Sequence, residues 1–157
     1  KWRDSLRHGL TINYKNIILT GGVDDIWQDI NTKELIVVDY KSQASSYEVE
    51  TESYLSSAYH EGYKIQMDFY AYLLQEMGFK VKNTSYFLVC NADRSANGFF
   101  GQLSFSETLI PYKHTTDWIP KKLDDMMKTL NSDNIPDSNE CCENCAYTSQ
   151  RLNLEKT

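Results

Sequence analysis

Runs of β-favouring apolar residues, separated by turn residues, predict strands in the first part of the chain. One buried strand is predicted within residues 14–20, around Ile17-Ile18-Leu19, and a second strand within 23–27. The sequence Asn31-Thr32-Lys33 is typical of a hairpin turn, and residues 34–41 form the most β-favouring run of the chain. Residues 42–58 are rich in Ser, Glu and Tyr, so we expect a loop there.

Helical periodicity replaces the strand pattern from about residue 59 to 77, and Gly78 is well placed to end that helix. Two more strands are predicted at 81–91 and 101–109, and an amphipathic helix at 117–130. The order ββ(β)–α–β–β–α predicts an α/β (α+β) fold. With 157 residues, we expect one domain over 1–157, with a Cys-containing tail at 137–151.

Composition and charge narrow the function classes. No apolar run approaches the roughly 20 residues that cross a bilayer, so we expect no membrane partner. The net charge of −6 and the pI of about 5.0 argue against a protein that coats nucleic acid nonspecifically. They remain compatible with an enzyme that contacts a few phosphates through bound cations. The first residue is not Met, and we expect an excised domain that lacks an N-terminal helix.

The four cysteines are unevenly distributed. Cys90 stands alone, whereas Cys141, Cys142 and Cys145 lie together near the C-terminus. A secreted disulfide framework usually spreads its cysteines along the chain, and residues 1–4 lack the apolar stretch of a signal peptide. We therefore expect a cytoplasmic protein.

Three residues form the candidate chemical centre. Side chains two residues apart on a strand point the same way, so Asp39 and Lys41 project together. The predicted hairpin brings Asp24 beside Asp39, and two converging carboxylates repel unless a cation relieves them. Oxygen ligands of this kind suit Mg²⁺ or Mn²⁺, which activate water and polarise phosphates. The alternative is an ordinary solvated strand end with an incidental ion pair.

Three short motifs follow one another along the chain: Gly21-Gly22-Val23-Asp24, then Val37-Val38-Asp39-Tyr40-Lys41-Ser42, then Gln66-Met67-Asp68-Phe69-Tyr70. Their order resembles that of the RecB-like PD-(D/E)XK nucleases, a family that includes CRISPR-associated exonucleases. The resemblance covers residues 17–91 well and implies a restriction-endonuclease-like core, in which helices flank a central mixed β-sheet.

The resemblance also implies roles for individual residues. Asp24, Asp39 and the main-chain carbonyl of Tyr40 would be metal ligands, Lys41 the catalytic lysine, and Gln66 and Tyr70 would line the site. Two alternatives stay open. Asp25 competes with Asp24 for the role of metal ligand, and Gln66 and Tyr70 could simply pack the helix on the sheet. Asp68 is expected to be solvated.

Two features depart from that family. Many members carry a further His or Glu ligand upstream, and His8 is the only upstream histidine here. Relatives often hold an iron–sulfur cluster, but Arg151 occupies the position of its third C-terminal Cys, so we expect no cluster. A zinc site formed by Cys141, Cys142, Cys145 and His114 is an alternative to ordinary buried thiols.

The sequence therefore predicts a Mg²⁺- or Mn²⁺-dependent deoxyribonuclease, with an exonuclease favoured. Its substrate would be DNA, and its role would lie in repair, recombination or phage and mobile-element biology. A helicase or recombination protein would be its partner. The first alternative is a noncatalytic module that binds nucleic acid or protein, and the second is a hydrolase of small phosphoesters. Lys113, Lys121 and Lys122 are candidate phosphate contacts.

Overall fold

A computed structural model describes residues 9–95, 97–139 and 141–154. The chain divides into two compact units, Lys1–Ile119 and Pro120–Thr157. His8 lies outside the described residues.

The first unit opens with a two-stranded antiparallel hairpin. Strand β1 (Leu10–Tyr14) pairs with β2 (Ile17–Gly21), and Lys15 takes a positive φ of 52° in the two-residue turn between them. The strand prediction around Ile17–Leu19 is confirmed, whereas β1 was missed, although its apolar residues alternate with polar ones as expected of a half-buried strand.

The central sheet of the first unit has four strands in the order β3-β4-β5-β6. These strands are β3 (Asp25–Gln28), β4 (Leu35–Ser45), β5 (Thr84–Asp93) and β6 (Phe105–Lys113). The β4 and β5 strands run parallel, and the other two pairings are antiparallel, so the sheet is mixed. The expected α/β architecture with a central mixed sheet flanked by helices is therefore confirmed.

Two helices and a short 3₁₀ turn connect β4 to β5. They are α1 (Thr51–Ser56), the 3₁₀ turn Ala58–His60 and α2 (Glu61–Glu76). Helix α2 packs against the hairpin and β4, whereas α1 contacts β6. As predicted, the chain leaves the helix at Gly78, whose φ of +87° suits glycine.

The prediction of a loop over residues 42–58 was wrong at both of its ends. Strand β4 continues to Ser45 because its polar residues pair with β5 as far as Asp93. Residues 51–56 form α1 because Tyr54 is buried, with its ring centroid 5.8 Å from that of Phe87. Both causes are long-range contacts, which local composition does not reveal.

The last strand of the sheet is displaced from its predicted position at 101–109. Strand β6 begins at Phe105 and ends at Lys113, since Thr84 pairs with Lys113 and Ala92 with Phe105. Pro111 sits within it, and an edge strand tolerates a residue that cannot donate a ladder hydrogen bond.

The second unit contains α4 (Glu143–Leu154) and all but the first residue of α3 (Ile119–Leu130). Helix α3 was predicted, but α4 falls mostly in the segment that we assigned to a Cys-containing tail. No residue of α4 is buried, so it lacks the apolar stripe that identifies a helix in a sequence. Among the helices of the described residues, none combines the length and apolarity needed to cross a bilayer.

Candidate active site

Asp39 is the most buried carboxylate of the central sheet, at 2% exposure. It lies on the helix-covered face of β4, where its Oδ2 pairs closely with the ammonium group of Lys41. This ion pair is the contact that Oδ2 makes in the buried site. Burial raises the pKa of Asp39, Lys41 opposes the shift, and the carboxyl of Asp24 adds to it.

Asp24 precedes β3 and is tied to β4 by the main chain. Its Oδ2 accepts a hydrogen bond of 2.9 Å from the amide nitrogen of Tyr40. This contact places Asp24 near enough to Asp39 to raise the pKa of that residue. The two carboxylates of the predicted centre therefore lie together.

Asp25, which competes with Asp24 for the role of metal ligand, makes its contacts with the Tyr40 and Trp27 side chains instead. Its Oδ2 accepts hydrogen bonds from the hydroxyl of Tyr40 and, at 3.1 Å, from the indole nitrogen of Trp27. The Tyr40 ring lies on the sheet face opposite Asp39, because neighbouring strand residues point to opposite faces. Asp24 and Asp25 are thus divided between the two sides of the sheet.

Lys41 is held by three neighbours on the helix-covered face. Besides the ion pair with Asp39, its Nζ donates to Gln66 Oε1 at 3.1 Å. It also lies 4.2 Å from the centre of the Tyr63 ring, within cation–π range. These contacts fix the ammonium group beside the carboxylates.

Gln66 and Tyr70 act as one unit on α2. Gln66 Nε2 donates a 2.7 Å hydrogen bond to the hydroxyl of Tyr70, which turns Oε1 toward Lys41. Burial raises the pKa of the Tyr70 hydroxyl, so it stays neutral. If both side chains only packed the helix on the sheet, the hydrogen bond that Lys41 Nζ donates to Gln66 Oε1 would be unexplained.

Gly21 allows α2 to approach the hairpin. A Cβ at this position would lie 2.9 Å from Tyr70 Cε1 and 2.9 Å from Leu73 Cδ1, closer than real Cβ contacts. The first glycine of the Gly-Gly motif therefore has a packing role: it makes room for the ring whose hydroxyl orients Gln66.

Sequence reasoning missed an aromatic column beside Lys41. The rings of Tyr54 and His60 stack at 3.9 Å, and those of His60 and Tyr63 at 5.3 Å. His60 Nδ1 lies 2.8 Å from the carbonyl oxygen of Tyr54, which fixes the imidazole. Burial raises the pKa of Tyr54 to about 12. Tyr63 could have been found, because it shares one helix face with Gln66 and Tyr70 at spacings of three and four.

Asp68 is not solvated, contrary to our expectation. It is 5% exposed and accepts hydrogen bonds from the Tyr112 hydroxyl at 2.9 Å, the Thr115 amide at 3.1 Å and the Trp118 indole at 2.9 Å. Burial, with Asp68 as the next cause, raises the pKa of Tyr112. The donors are more than 40 residues away in sequence, so the helix pattern could not reveal them.

The remaining candidates make other contacts or are exposed. His114 is buried, and its Nδ1 lies 2.8 Å from Ser85 Oγ. Cys142 Sγ accepts a 3.4 Å hydrogen bond from the Cys145 amide at the start of α4. Lys113 ends β6 and is exposed, as are Lys121 and Lys122 on α3. Within the described ranges, no three His, Cys, Asp or Glu side chains group to hold a metal ion.

The donor set fits a hard divalent cation. The Asp39 carboxylate is buried, and the carboxyl of Asp24 lies beside it, so two carboxylates converge at one point. Carboxylate and carbonyl oxygens are the ligands that Mg²⁺ and Mn²⁺ prefer. Tyr40 supplies a main-chain carbonyl next to Asp39, although its role as a ligand stays a prediction.

Comparison with known proteins agrees with this geometry. A family model described as the PD-(D/E)XK nuclease superfamily matches residues 3–150, which is nearly the whole chain. Neither the curated proteins nor the solved structures contain a significant match.

Proposed function

Because the chain belongs to the PD-(D/E)XK nuclease superfamily, we propose that it is a divalent-metal-dependent deoxyribonuclease that hydrolyses phosphodiester bonds, with exonuclease action favoured. Members of this superfamily typically use divalent metals. The observation that carries the proposal is the meeting of Asp24, Asp39 and Lys41 on one face of the sheet, with the Asp39 carboxylate buried between the Lys41 ammonium and the Asp24 carboxyl.

The metal would be Mg²⁺ or Mn²⁺, held by Asp24, Asp39 and the carbonyl of Tyr40. When bound, such an ion polarises a phosphate and makes a bound water a better nucleophile at neutral pH. It would also offset the carboxylates in a chain of net charge −6, so that a DNA phosphate can approach.

The protein's own contribution centres on Lys41. An ammonium group fixed beside the carboxylates stabilises negative charge that grows on the phosphate oxygens. Gln66 positions that ammonium through Oε1, and Tyr70 orients Gln66 through its hydroxyl. These contacts hold the ammonium group in one place, which is what positioning of a catalytic group requires.

A second candidate is a noncatalytic module that binds nucleic acid or protein. The acidic net charge favours it, as does the absence of a third carboxylate, His or Cys at the centre among the described residues. The intact trio of Asp24, Asp39 and Lys41 favours the enzyme, since a noncatalytic module has no need of all three. We also propose a role in DNA repair, recombination or mobile-element biology, with a helicase or recombination partner.

The two candidates differ in one assay. Linear, circular and single-stranded DNA are incubated with the protein in Mg²⁺ and in Mn²⁺, beside Lys41→Ala and the surface control Lys128→Ala, whose side chain is 79% exposed. We expect cleavage by the parent and Lys128→Ala only, with circles resistant if the enzyme is an exonuclease. No cleavage by folded protein in either metal would favour the binding module. Equal cleavage by Lys41→Ala would contradict the proposed centre.

A further inference from the structure

A pocket of about 350 Å³ opens beyond the candidate active site, where β4 and β5 end. Five serines line it together with Tyr47, Glu48, Asn91 and Asp93. Its volume falls within the range of small-ligand sites, roughly 300–1,000 Å³. No residue of the predicted catalytic centre belongs to it.

A row of polar side chains connects this pocket to the active site. Asp39, Lys41, Gln43 and Ser45 alternate along β4 and therefore share one face. Gln43 Nε2 donates a 3.3 Å hydrogen bond to Asn91 Oδ1 on β5, which continues the row into the pocket. At ~3.3 Å per strand residue, Lys41 and Ser45 are ~13 Å apart along the strand.

Asn91 gives the pocket a fixed frame. It is 4% exposed, and its Nδ2 donates to the carbonyl oxygens of Ser45 at 3.3 Å and Tyr47 at 3.5 Å. The Tyr47 amide in turn donates to Ser45 Oγ at 3.0 Å. The main chain of Tyr47 is thus held in place, whereas its side chain is 83% exposed and its ring is free to stack on a ligand.

The charge of the pocket selects against a phosphate. Glu48 and Asp93 line it, and within the described part of the chain no lysine or arginine does. The Ser95 hydroxyl donates to Asp93 at 2.6 Å and helps to keep that carboxylate anionic. Carboxylates and hydroxyls instead suit the amino and ring groups on the edge of a nucleobase, and exposed aromatic rings stack on unpaired bases.

Resting on the nuclease function proposed above, we infer that this pocket binds an unpaired nucleobase of the strand being cut, with the Tyr47 ring stacked on the base. A stacked strand carries one phosphate per ~3.4 Å of helix axis, so ~13 Å corresponds to at most about four nucleotides between the pocket and the cleaved linkage, and fewer when the strand is stretched. The substrate is therefore a single strand, or a duplex whose end is frayed.

Binding without cleavage tests this inference. The base protein is the full chain carrying Lys41→Ala, which is expected not to cut DNA, kept in Mg²⁺, and the probes are a fluorescein-labelled 16-nucleotide single strand and the matching duplex. Three second substitutions are compared: Tyr47→Ala, Tyr47→Phe, and Tyr147→Ala on α4, where a tyrosine is also exposed. Thermal melting checks that each variant folds.

We expect Tyr47→Ala to weaken single-strand binding about tenfold or more, the effect of losing one stacked base. Tyr47→Phe and Tyr147→Ala should bind like the base protein, and duplex binding should not change. Unchanged single-strand binding by Tyr47→Ala, equal losses for strand and duplex, or no binding of the strand by the base protein would each overturn the inference.

The outcomes also separate this inference from the proposed nuclease function. If the parent cuts DNA but Tyr47 has no effect on binding, the nucleobase pocket is wrong and the nuclease stands. If the parent cuts nothing while Tyr47 still governs strand binding, the pocket stands and the protein is a binding module.

Discussion

The amide nitrogen of Tyr40 donates a 2.9 Å hydrogen bond to Asp24 Oδ2, and this single contact links two of the three motifs. It fixes the segment before β3 against the middle of β4, immediately after Asp39. The carboxylate of Asp24, in the bend before β3, is thereby held beside the carboxylate of Asp39 on β4. The candidate centre thus depends on main-chain geometry as much as on side-chain identity.

The packing of Gly21 against α2 predicts a stability and activity effect. Gly21→Ala puts a Cβ within 2.9 Å of Tyr70 and Leu73, so either the ring or the hairpin must move. We expect a loss of about 1–3 kcal/mol in the free energy of unfolding, and a loss of nuclease activity as Tyr70 releases Gln66. Urea denaturation and cleavage rates measure the two effects.

Gly62 provides the matched control for that substitution. A Cβ there meets nothing within 4 Å, and the residue lies in α2. Gly62→Ala should therefore raise the free energy of unfolding by up to about 1 kcal/mol through helix propensity. If both substitutions had the same effect, the close approach at Gly21 would not be the cause.

Asp39→Asn should make the metal-free protein more stable at neutral pH. The folded state raises the pKa of Asp39 above 3.8, so ionising this residue as the pH rises costs folding free energy. The parent therefore loses stability as the pH rises through that elevated pKa, and asparagine does not. Urea denaturation in EDTA from pH 3 to pH 7 measures the difference between the two proteins.

That difference should be smallest below about pH 3.8, where the carboxyl is protonated in both folded and unfolded states. It should grow toward neutral pH and shrink again when Mg²⁺ or Mn²⁺ is added, because only the parent would bind the ion well. A difference that is constant across the pH range would contradict the assignment of the raised pKa to Asp39.

Asp68→Ala should lower the stability of the fold but leave the catalytic step nearly unchanged. The substitution leaves the donors of Tyr112, Thr115 and Trp118 without their common acceptor. We expect a loss of about 2–4 kcal/mol in the free energy of unfolding, measured by denaturant titration. The cleavage rate per folded molecule should stay within about twofold of the parent, and a much larger fall would place Asp68 in the active site.

Tyr63 should act through Lys41. Tyr63→Leu removes the ring that lies 4.2 Å from the ammonium group, whereas Tyr63→Phe keeps it. A cation–π contact of about 0.5–2 kcal/mol corresponds to a roughly 2- to 30-fold fall in cleavage rate for leucine, with phenylalanine near the parent. The pH–rate profile should shift for leucine alone, and equal losses for both variants would assign the role to the hydroxyl instead.

Local sequence rules predicted the parts of the site that depend on local geometry. Alternation along a strand placed Asp39 and Lys41 on one face, and helical spacing placed Gln66 and Tyr70 together. The same rules failed where distant residues decide the environment. Asp68 looks solvated on its own helix but meets donors from residues 112–118. Tyr54 looks like part of a loop in the sequence, but its ring packs directly against that of Phe87 on β5.

The choice between Asp24 and Asp25 shows the same limit. The two residues are adjacent, and only the offset from Gly21-Gly22 favoured Asp24 in the sequence. The hydrogen bonds of the folded chain divide them, with Asp24 on the Tyr40 amide and Asp25 on the Tyr40 hydroxyl. Chain pairing between β3 and β4 sets that division, and pairing register is a tertiary property.

That neighbouring pair gives the most direct test of the central claim. The rate of cleavage of a labelled linear DNA strand in Mn²⁺ is compared for the parent, Asp24→Asn and Asp25→Asn, each shown to be folded. We predict that Asp24→Asn lowers the rate by at least a hundredfold, as expected for the loss of about 3 kcal/mol of transition-state stabilisation, while Asp25→Asn stays within a few-fold of the parent. Full activity of Asp24→Asn, or loss of activity in Asp25→Asn alone, would contradict an active site built on Asp24, Asp39 and Lys41.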